Sequence, residues 1–305
     1  MSKQSLHVVG VLAVILANFI WAGSFSATAI DVKGMSPTFI TLIRLGTGAL
    51  ILSFFLRLPK GQRWDKQTIF LSLLLGAIGF AAPVYLETKG LALSTPALAA
   101  ISISMEPLFT VIIASLLLRE RLGTMRKIAL GLALFGAWAI AGFPRPGNAG
   151  YLIGDLLLLL AVFCYGIYNA YSKNLTIRLP SAAATAATLW GGFFATIPIW
   201  WATGASVPRT VGISGWLSLF YLAILATAGA YLLWMFALKA IPVSEAALFL
   251  YMQPVFGVIL SVWIVGTRPT WSFYVGAVAI LGGIILGREK TTANVSEGAA
   301  CASVD

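Results

Sequence analysis

Apolar residues in this chain come in long runs separated by short polar breaks. The runs cover residues 8–30, 37–57, 67–87, 94–118, 125–143, 151–172, 181–203, 214–237, 243–265 and 272–287. A hydrocarbon core needs about 20 helical residues to cross it, so each run predicts a membrane-crossing helix, ten in all. The breaks carry the punctuation: Gly34 to Pro37, Pro59 to Asp65, Pro144 to Gly147, Arg178 to Pro180, Pro208 to Ser214, and Pro269. None is long enough to form a soluble domain. The first run holds Ala27-Thr28-Ala29 near its end, but it exceeds the roughly 7–15 apolar residues of a signal peptide and reads as an uncleaved span. Residues 288–305 are small and polar and are predicted to be a disordered cytoplasmic tail.

The second half repeats the first. At an offset of 147, Ala99, Ala100, Met105, Pro107, Phe109, Val111 and Ile112 fall on Ala246, Ala247, Met252, Pro254, Phe256, Val258 and Ile259, and Glu106 falls on Gln253. The first and sixth runs correspond through Ala17, Phe19 and Trp21 against Ala161, Phe163 and Tyr165. Residues 1–147 and 148–287 therefore read as two five-helix repeats. Five is odd, so the copies must cross the membrane in opposite directions, an organisation found in secondary transporters.

Charge sets the orientation. With the N-terminus inside, 14 of the 20 Lys and Arg lie on inside segments. Five (Lys33, Lys89, Arg145, Arg209 and Arg268) lie outside, and Arg44 alone lies within a run away from its ends. Cytoplasmic loops carry the excess of Lys and Arg, so both termini are expected in the cytoplasm. Charged residues make up 10% of the chain and apolar ones 59%, and mean hydropathy is +0.93. Such a chain cannot clothe a soluble surface, which draws on about 25% charged residues. The net charge of +10 does not point to nucleic acid, because the cations sit in the breaks and form no patch on a folded face. One histidine, His7, and two distant cysteines, Cys164 and Cys301, argue against a metal centre and a disulfide framework. No Gly-Lys dipeptide offers a nucleotide-binding loop. No cofactor is expected, and acids and bases are too few for an enzyme.

Glu106 is the most informative residue. It lies midway along the fourth run, where a charge is expensive unless it faces a cavity or a partner. Pro107 follows it and leaves the Ile103 carbonyl without its helical donor. Gln253-Pro254 repeats the device in the ninth run. Two polar, proline-broken helices at mid-depth, one from each half, would meet where such transporters hold substrate. A kink with a buried interhelical hydrogen bond would explain the same residues without a binding role. Helical spacing places Ser102 on the Glu106 face and Phe249 on the Gln253 face. Asn18, Trp21, Tyr85, Tyr168 and Trp234 are further candidates to line a pathway, with belt or packing roles as the alternative. Arg44 is expected to be a structural charge locking the helices together, with Glu106 or Asp155 as candidate partner and a substrate role as the alternative. Asp155 and Glu245 read as helix-start residues.

The Ala-x-x-x-Trp of the first run, Arg44 in the second, Glu106-Pro107 in the fourth, the Leu117 to Leu122 ending with Glu120-Arg121-Leu122, and the Gly-rich fifth run from Gly131 together resemble the drug/metabolite transporter superfamily, EamA type. Within it the chain is similar to the YddG-type exporters of aromatic amino acids and methyl viologen. In the second copy Thr267-Arg268-Pro269 replaces the Glu-Arg-Leu ending and Gln253 replaces the acid. The resemblance implies an all-α integral membrane fold. It comprises ten transmembrane helices, as two inverted five-helix repeats around a central cavity, in the bacterial inner membrane. It also implies a monomeric carrier of small molecules working by alternating access.

The expected function is export of small amphipathic metabolites, foremost aromatic amino acids. Pro83, Pro107 and Pro254 are candidate hinges because they weaken the helix ladder. Glu106, Ser102 and Gln253 would bind polar groups, aromatics would stack on the substrate, and Glu106 is a candidate proton carrier. The alternatives are a multidrug, nucleoside or polyamine exporter and, in a different class, a passive channel.

Overall fold

The computed structural model describes residues 3–56, 58, 64–94, 102–118, 123–143, 152–208, 210–265 and 268–287. Helix occurs in each of the ten apolar runs. The helices are α1 (Lys3–Asp31), α2 (Pro37–Ser53), α3 (Lys66–Leu93), α4 (Ser102–Leu117), α5 (Thr124–Ile140), α6 (Leu152–Arg178), α7 (Ser181–Thr203), α8 (Ile213–Ala240), α9 (Val243–Leu250 continuing as Met252–Val265) and α10 (Trp271–Gly287). Six of these segments are long and apolar enough to cross a bilayer, and α2, α4 and α10 are shorter apolar helices. The described residues are thus all-helical in their regular structure and hold several membrane-length apolar segments, as in a multi-pass membrane protein. The Glu120-Arg121-Leu122 ending and the 288–305 tail lie outside the described residues.

Local chemistry sets the helix ends. Ser36 accepts a hydrogen bond from the Phe39 N–H at 3.2 Å, and Pro37 occupies the first turn, where its missing N–H costs nothing. Asp65 caps α3 by accepting from the Thr68 N–H at 2.7 Å. Gly204 closes α7 in the left-handed region at φ 59°, which glycine enters without a Cβ penalty.

Among the described residues, two helices depart from ordinary α geometry along part of their length. Ala77–Ala81 in α3 and Tyr221–Gly229 in α8 are π-helical, at equivalent places in the two halves. α4 and α9 also match: each is interrupted by a turn, at Met105 and at Tyr251, just ahead of the Pro that cannot donate backward.

Packing pairs the halves. α1 packs on α8 as α6 packs on α3, and α1 on α9 as α6 on α4. α2 lies against its counterpart α7, and α5 against α10. At the last crossing, a Cβ on Gly136 would collide with the Gly276 carbonyl oxygen, and one on Gly276 with that of Gly136. Only paired glycines allow this approach. The outward faces carry exposed Leu, Ile, Phe and Trp, such as Leu116, Trp263, Val278 and Ile285, as lipid contact requires.

Candidate functional site

The broken helices α4 and α9 meet at one internal space. Its wider part, about 570 Å³, is lined by apolar groups from α1, α3, α4 and α9, including Ala22, Phe25, Leu91, Ala92, Pro107, Leu250, Tyr251 and Pro254. Such a volume suits a small organic ligand. It extends to Val32 and Lys33 at the C-terminal end of α1. A narrow polar recess of about 50 Å³ adjoins it, lined by Trp21, Arg44, Glu87, Glu106, Tyr165, Asn169, Tyr231 and Gln253 among others. Glu106 and Gln253, one from each half, line both parts.

Several polar side chains of the recess are anchored through one atom by a neighbour. Asn169 Nδ2 donates to Glu106 Oε1 at 3.0 Å and to Thr110 Oγ1 at 3.1 Å. Glu106 sits in the first turn after the Met105 break, where free N–H groups favour an acid. Tyr165 Oη donates to Glu87 Oε2 at 2.9 Å. Gln253 Nε2 donates to Asn18 Oδ1 at 3.0 Å, and Asn18 Nδ2 in turn donates to the Val14 carbonyl at 2.7 Å. Trp21 Nε1 donates to the Ala226 carbonyl at 2.9 Å, inside the π segment of α8. Arg44 Nε donates to Thr227 Oγ1 at 3.3 Å, and Thr227 donates onward to the Leu222 carbonyl at 2.7 Å. The wide turn of α8 thus supplies the groups that fix both Trp21 and Arg44, in keeping with the tendency of π-bulges to fall at functional sites.

Of the expected residues, Trp21, Glu106 and Gln253 line the space together, with Pro107 and Pro254 beside them, and Asn18 supports Gln253 from behind. Five others lie off the lining. Trp234 and Tyr168 are wholly buried. Trp234 packs 5.9 Å from Trp21, and Tyr168 lies 4.8 Å from Phe80, ring centre to ring centre. Phe249 and Ser102 are buried, and Tyr85 faces Lys89, whose Nζ is 5.8 Å from its ring. Aromatic side chains occur on lipid-, core- and cavity-facing sides of a membrane helix alike, so the sequence does not separate cavity-facing from core-facing aromatics. Pro83 is buried in α3 just beyond the π segment.

Arg44 corrects the expected pairing. No ion pair joins it to Glu106 or Asp155 among the described residues; Asp155 instead accepts from Ser94. Glu87 was not foreseen as a site residue, because it ends the third apolar run, next to the polar Thr88-Lys89-Gly90. α3 continues to Leu93 and carries Glu87 into the interior. Asn169 and Tyr165 were visible as polar groups in the sixth run, and their spacing of four places both on the cavity side.

Away from this space, polar and close-packed contacts tie helices together, within and between the two halves. His7 Nε2 lies 3.2 Å from Glu245 Oε1, and Glu245 is buried. Arg126 Nη1 donates to Ser244 Oγ at 2.6 Å. Lys173 Nζ donates to the carbonyls of Leu238 and Ile241. Gly10 lies against Ala240, whose Cβ would be 2.6 Å from a Cβ placed there.

Comparison with known proteins agrees with this architecture. The model of the EamA-like transporter family matches twice, over residues 8–142 and 152–287. The uncharacterized transporter YdfC of Bacillus subtilis is 27% identical over 265 residues, covering 87% of this chain and 86% of that protein. A probable terminal-alkyne amino-acid exporter of Streptantibioticus cattleyicolor is 25% identical, over 91% and 93% of the two chains. A probable amino-acid metabolite efflux pump of Escherichia coli is likewise 25% identical, over 91% and 93%. One crystal structure, of a protein 20% identical, superposes with a TM-score of 0.75 over 93% of this chain and 96% of that one, a likeness of fold. With both halves matched across nearly their whole length, the chain belongs to the EamA-like transporter family.

Proposed function

We propose that this chain exports small amphipathic metabolites, foremost aromatic amino acids, from the cytoplasm across the bacterial inner membrane. Its ten helices would all cross, as two inverted five-helix repeats with both termini cytoplasmic. The observation that carries the reading is that Glu106 and Gln253, at equivalent places in the two halves, line one space with an apolar chamber and a polar recess. Two relatives bear names of amino-acid exporters. In this orientation the chamber opens toward the periplasmic side at Lys33, and the contacts of His7, Arg126 and Lys173 close the cytoplasmic side. Rocking of the halves about Pro83, Pro107 and Pro254 would exchange the open and closed ends around a fixed site.

Efflux of labelled phenylalanine from proteoliposomes tests this, with and without a pH gradient, for wild type and Glu106→Gln. The expected result is saturable wild-type efflux that the variant slows and whose response to the gradient it flattens. An unchanged rate and unchanged gradient response would remove Glu106 from the mechanism. A second reading, export of organic cations, is favoured by the two carboxylates of the recess. Competition by cationic dyes against phenylalanine separates the two.

A further inference from the structure

The recess carries charge that the transport cycle as drawn leaves unused. Arg44 is 8% exposed and lines the recess. Its Nε is anchored on Thr227, and neither Nη nitrogen has a hydrogen-bond or ion-pair partner among the described residues. A guanidinium at membrane depth without a contacting counter-charge is costly, and its fork matches a carboxylate in bidentate fashion. Across the same recess, Glu87 and Glu106 each commit one oxygen, to Tyr165 and to Asn169. The second oxygen of each accepts nothing from the described residues.

Resting on the transport reading above, we propose that this recess binds the head group of an α-amino acid, with Arg44 receiving the carboxylate and Glu87 and Glu106 receiving the ammonium. The charges decide between ligand classes. An organic cation would engage the two acids and leave Arg44 bare. A simple carboxylic acid would satisfy Arg44 and leave both acids facing a ligand with no donor to offer them. A zwitterion satisfies both. Size agrees: a recess of about 50 Å³ suits a head group rather than a ring, and the chamber of about 570 Å³ beside it has the apolar walls a side chain needs. Thr227 holds Arg44 by its Nε alone, which leaves the outer edge of the fork directed to ligand. Arg44 is on this account the residue that separates amino acids from amines.

The test uses the purified full chain and three ligands of one shape: L-phenylalanine, phenethylamine, which lacks the carboxylate, and 3-phenylpropionate, which lacks the ammonium. Competition against labelled phenylalanine counterflow in proteoliposomes, and thermal stabilisation by each compound, are read in parallel. In wild type, phenylalanine should outcompete each analogue by about 10- to 100-fold, the worth of a hydrogen-bonded charged group. In Arg44→Gln the advantage over phenethylamine should vanish while stabilisation by phenethylamine is kept, and Arg44→Lys should fall between. Glu87→Gln should weaken phenylalanine and phenethylamine alike and spare 3-phenylpropionate. Equal competition by phenylalanine and phenethylamine in wild type overturns the head-group assignment and leaves amino-acid transport standing. So does an Arg44→Gln protein that is folded yet loses both ligands equally. No saturable flux or stabilisation by any of the three overturns the transport reading and the assignment with it. Should Arg44→Gln not fold, the wild-type ranking alone decides.

Discussion

A methyl group added at Gly136 should destabilise this protein, while the same change at Gly131, on the same helix, should not. A Cβ at Gly136 would lie 2.5 Å from the Gly276 oxygen, 2.8 Å from Ile280 Cγ1 and 3.0 Å from the Ile280 nitrogen, where ordinary contact begins at 3.4 Å. The overlap is 0.9 Å at the nearest atom, and two of the three obstacles are backbone, so α5 and α10 must part. Overpacking of this kind costs about 1–3 kcal/mol. The better helix propensity of Ala offsets about 1 kcal/mol of it. At Gly131 a Cβ meets nothing within 4 Å, and only the propensity gain remains. The two variants should therefore differ by about 1–3 kcal/mol, or about 5- to 160-fold in the folded-to-unfolded ratio. The folded fraction left after graded SDS or heat, read by fluorescence-detected size exclusion, gives the order of midpoints: Gly131→Ala at or above wild type, Gly136→Ala below Gly131→Ala. Coincident midpoints, or Gly136→Ala the more robust, would refute the close crossing of the two halves. Gly276→Ala should cost a similar amount, and the double variant less than the sum, because one separation of the helices relieves both contacts.

The Asn18–Gln253 hydrogen bond should give a coupling of about 0.6 kcal/mol and no more than about 1.7 in a double-mutant cycle of Asn18→Leu and Gln253→Leu; zero coupling in SDS unfolding would count against the geometry. Pro107→Ala and Pro254→Ala return an N–H to the Ile103 and Leu250 carbonyls and should slow efflux while raising thermal midpoints; unchanged efflux in both removes the hinge role. Asp65 is held below the ordinary carboxylate value of 3.8, chiefly by the Thr68 backbone N–H and then by the Thr68 hydroxyl. A group depressed in the folded state adds stability above its unfolded value and loses it as pH falls through the folded one. The midpoint gap between wild type and Asp65→Ala should thus be full at neutral pH and shrink in acid below that value; a gap that widens in acid contradicts the cap.

The helices and their breaks were legible because bilayer length and proline chemistry act locally. Each apolar run holds helix among the described residues, six of the segments being long and apolar enough to cross a bilayer, and the Met-x-Pro repeats placed the interruptions at Met105 and Tyr251 within a residue or two. The floor of the site was half legible. Glu106 and Gln253 stood out as polar groups at mid-depth, whereas Glu87 was hidden by a hydropathy boundary that ends the third run at a polar tetrapeptide. The helix passes through that tetrapeptide to Leu93. The π segments have no sequence signature beyond small residues, yet Ala226 and Thr227 within one of them orient Trp21 and Arg44. Tyr168 and Trp234 had the composition of cavity residues and the burial of core ones. Which face of an all-apolar helix turns to lipid, core or cavity is set by neighbours far away in sequence.

The central claim is that one internal site is offered alternately to the two sides of the membrane. Counterflow measures this directly: proteoliposomes preloaded with unlabelled phenylalanine are diluted into trace labelled phenylalanine, with no ion gradient. The account predicts transient accumulation of label above its equilibrium level, accelerated by the internal load and reduced in Glu106→Gln. Uptake that climbs only to equilibrium, at a rate indifferent to the load, would mean a channel or no pathway at all and would contradict it.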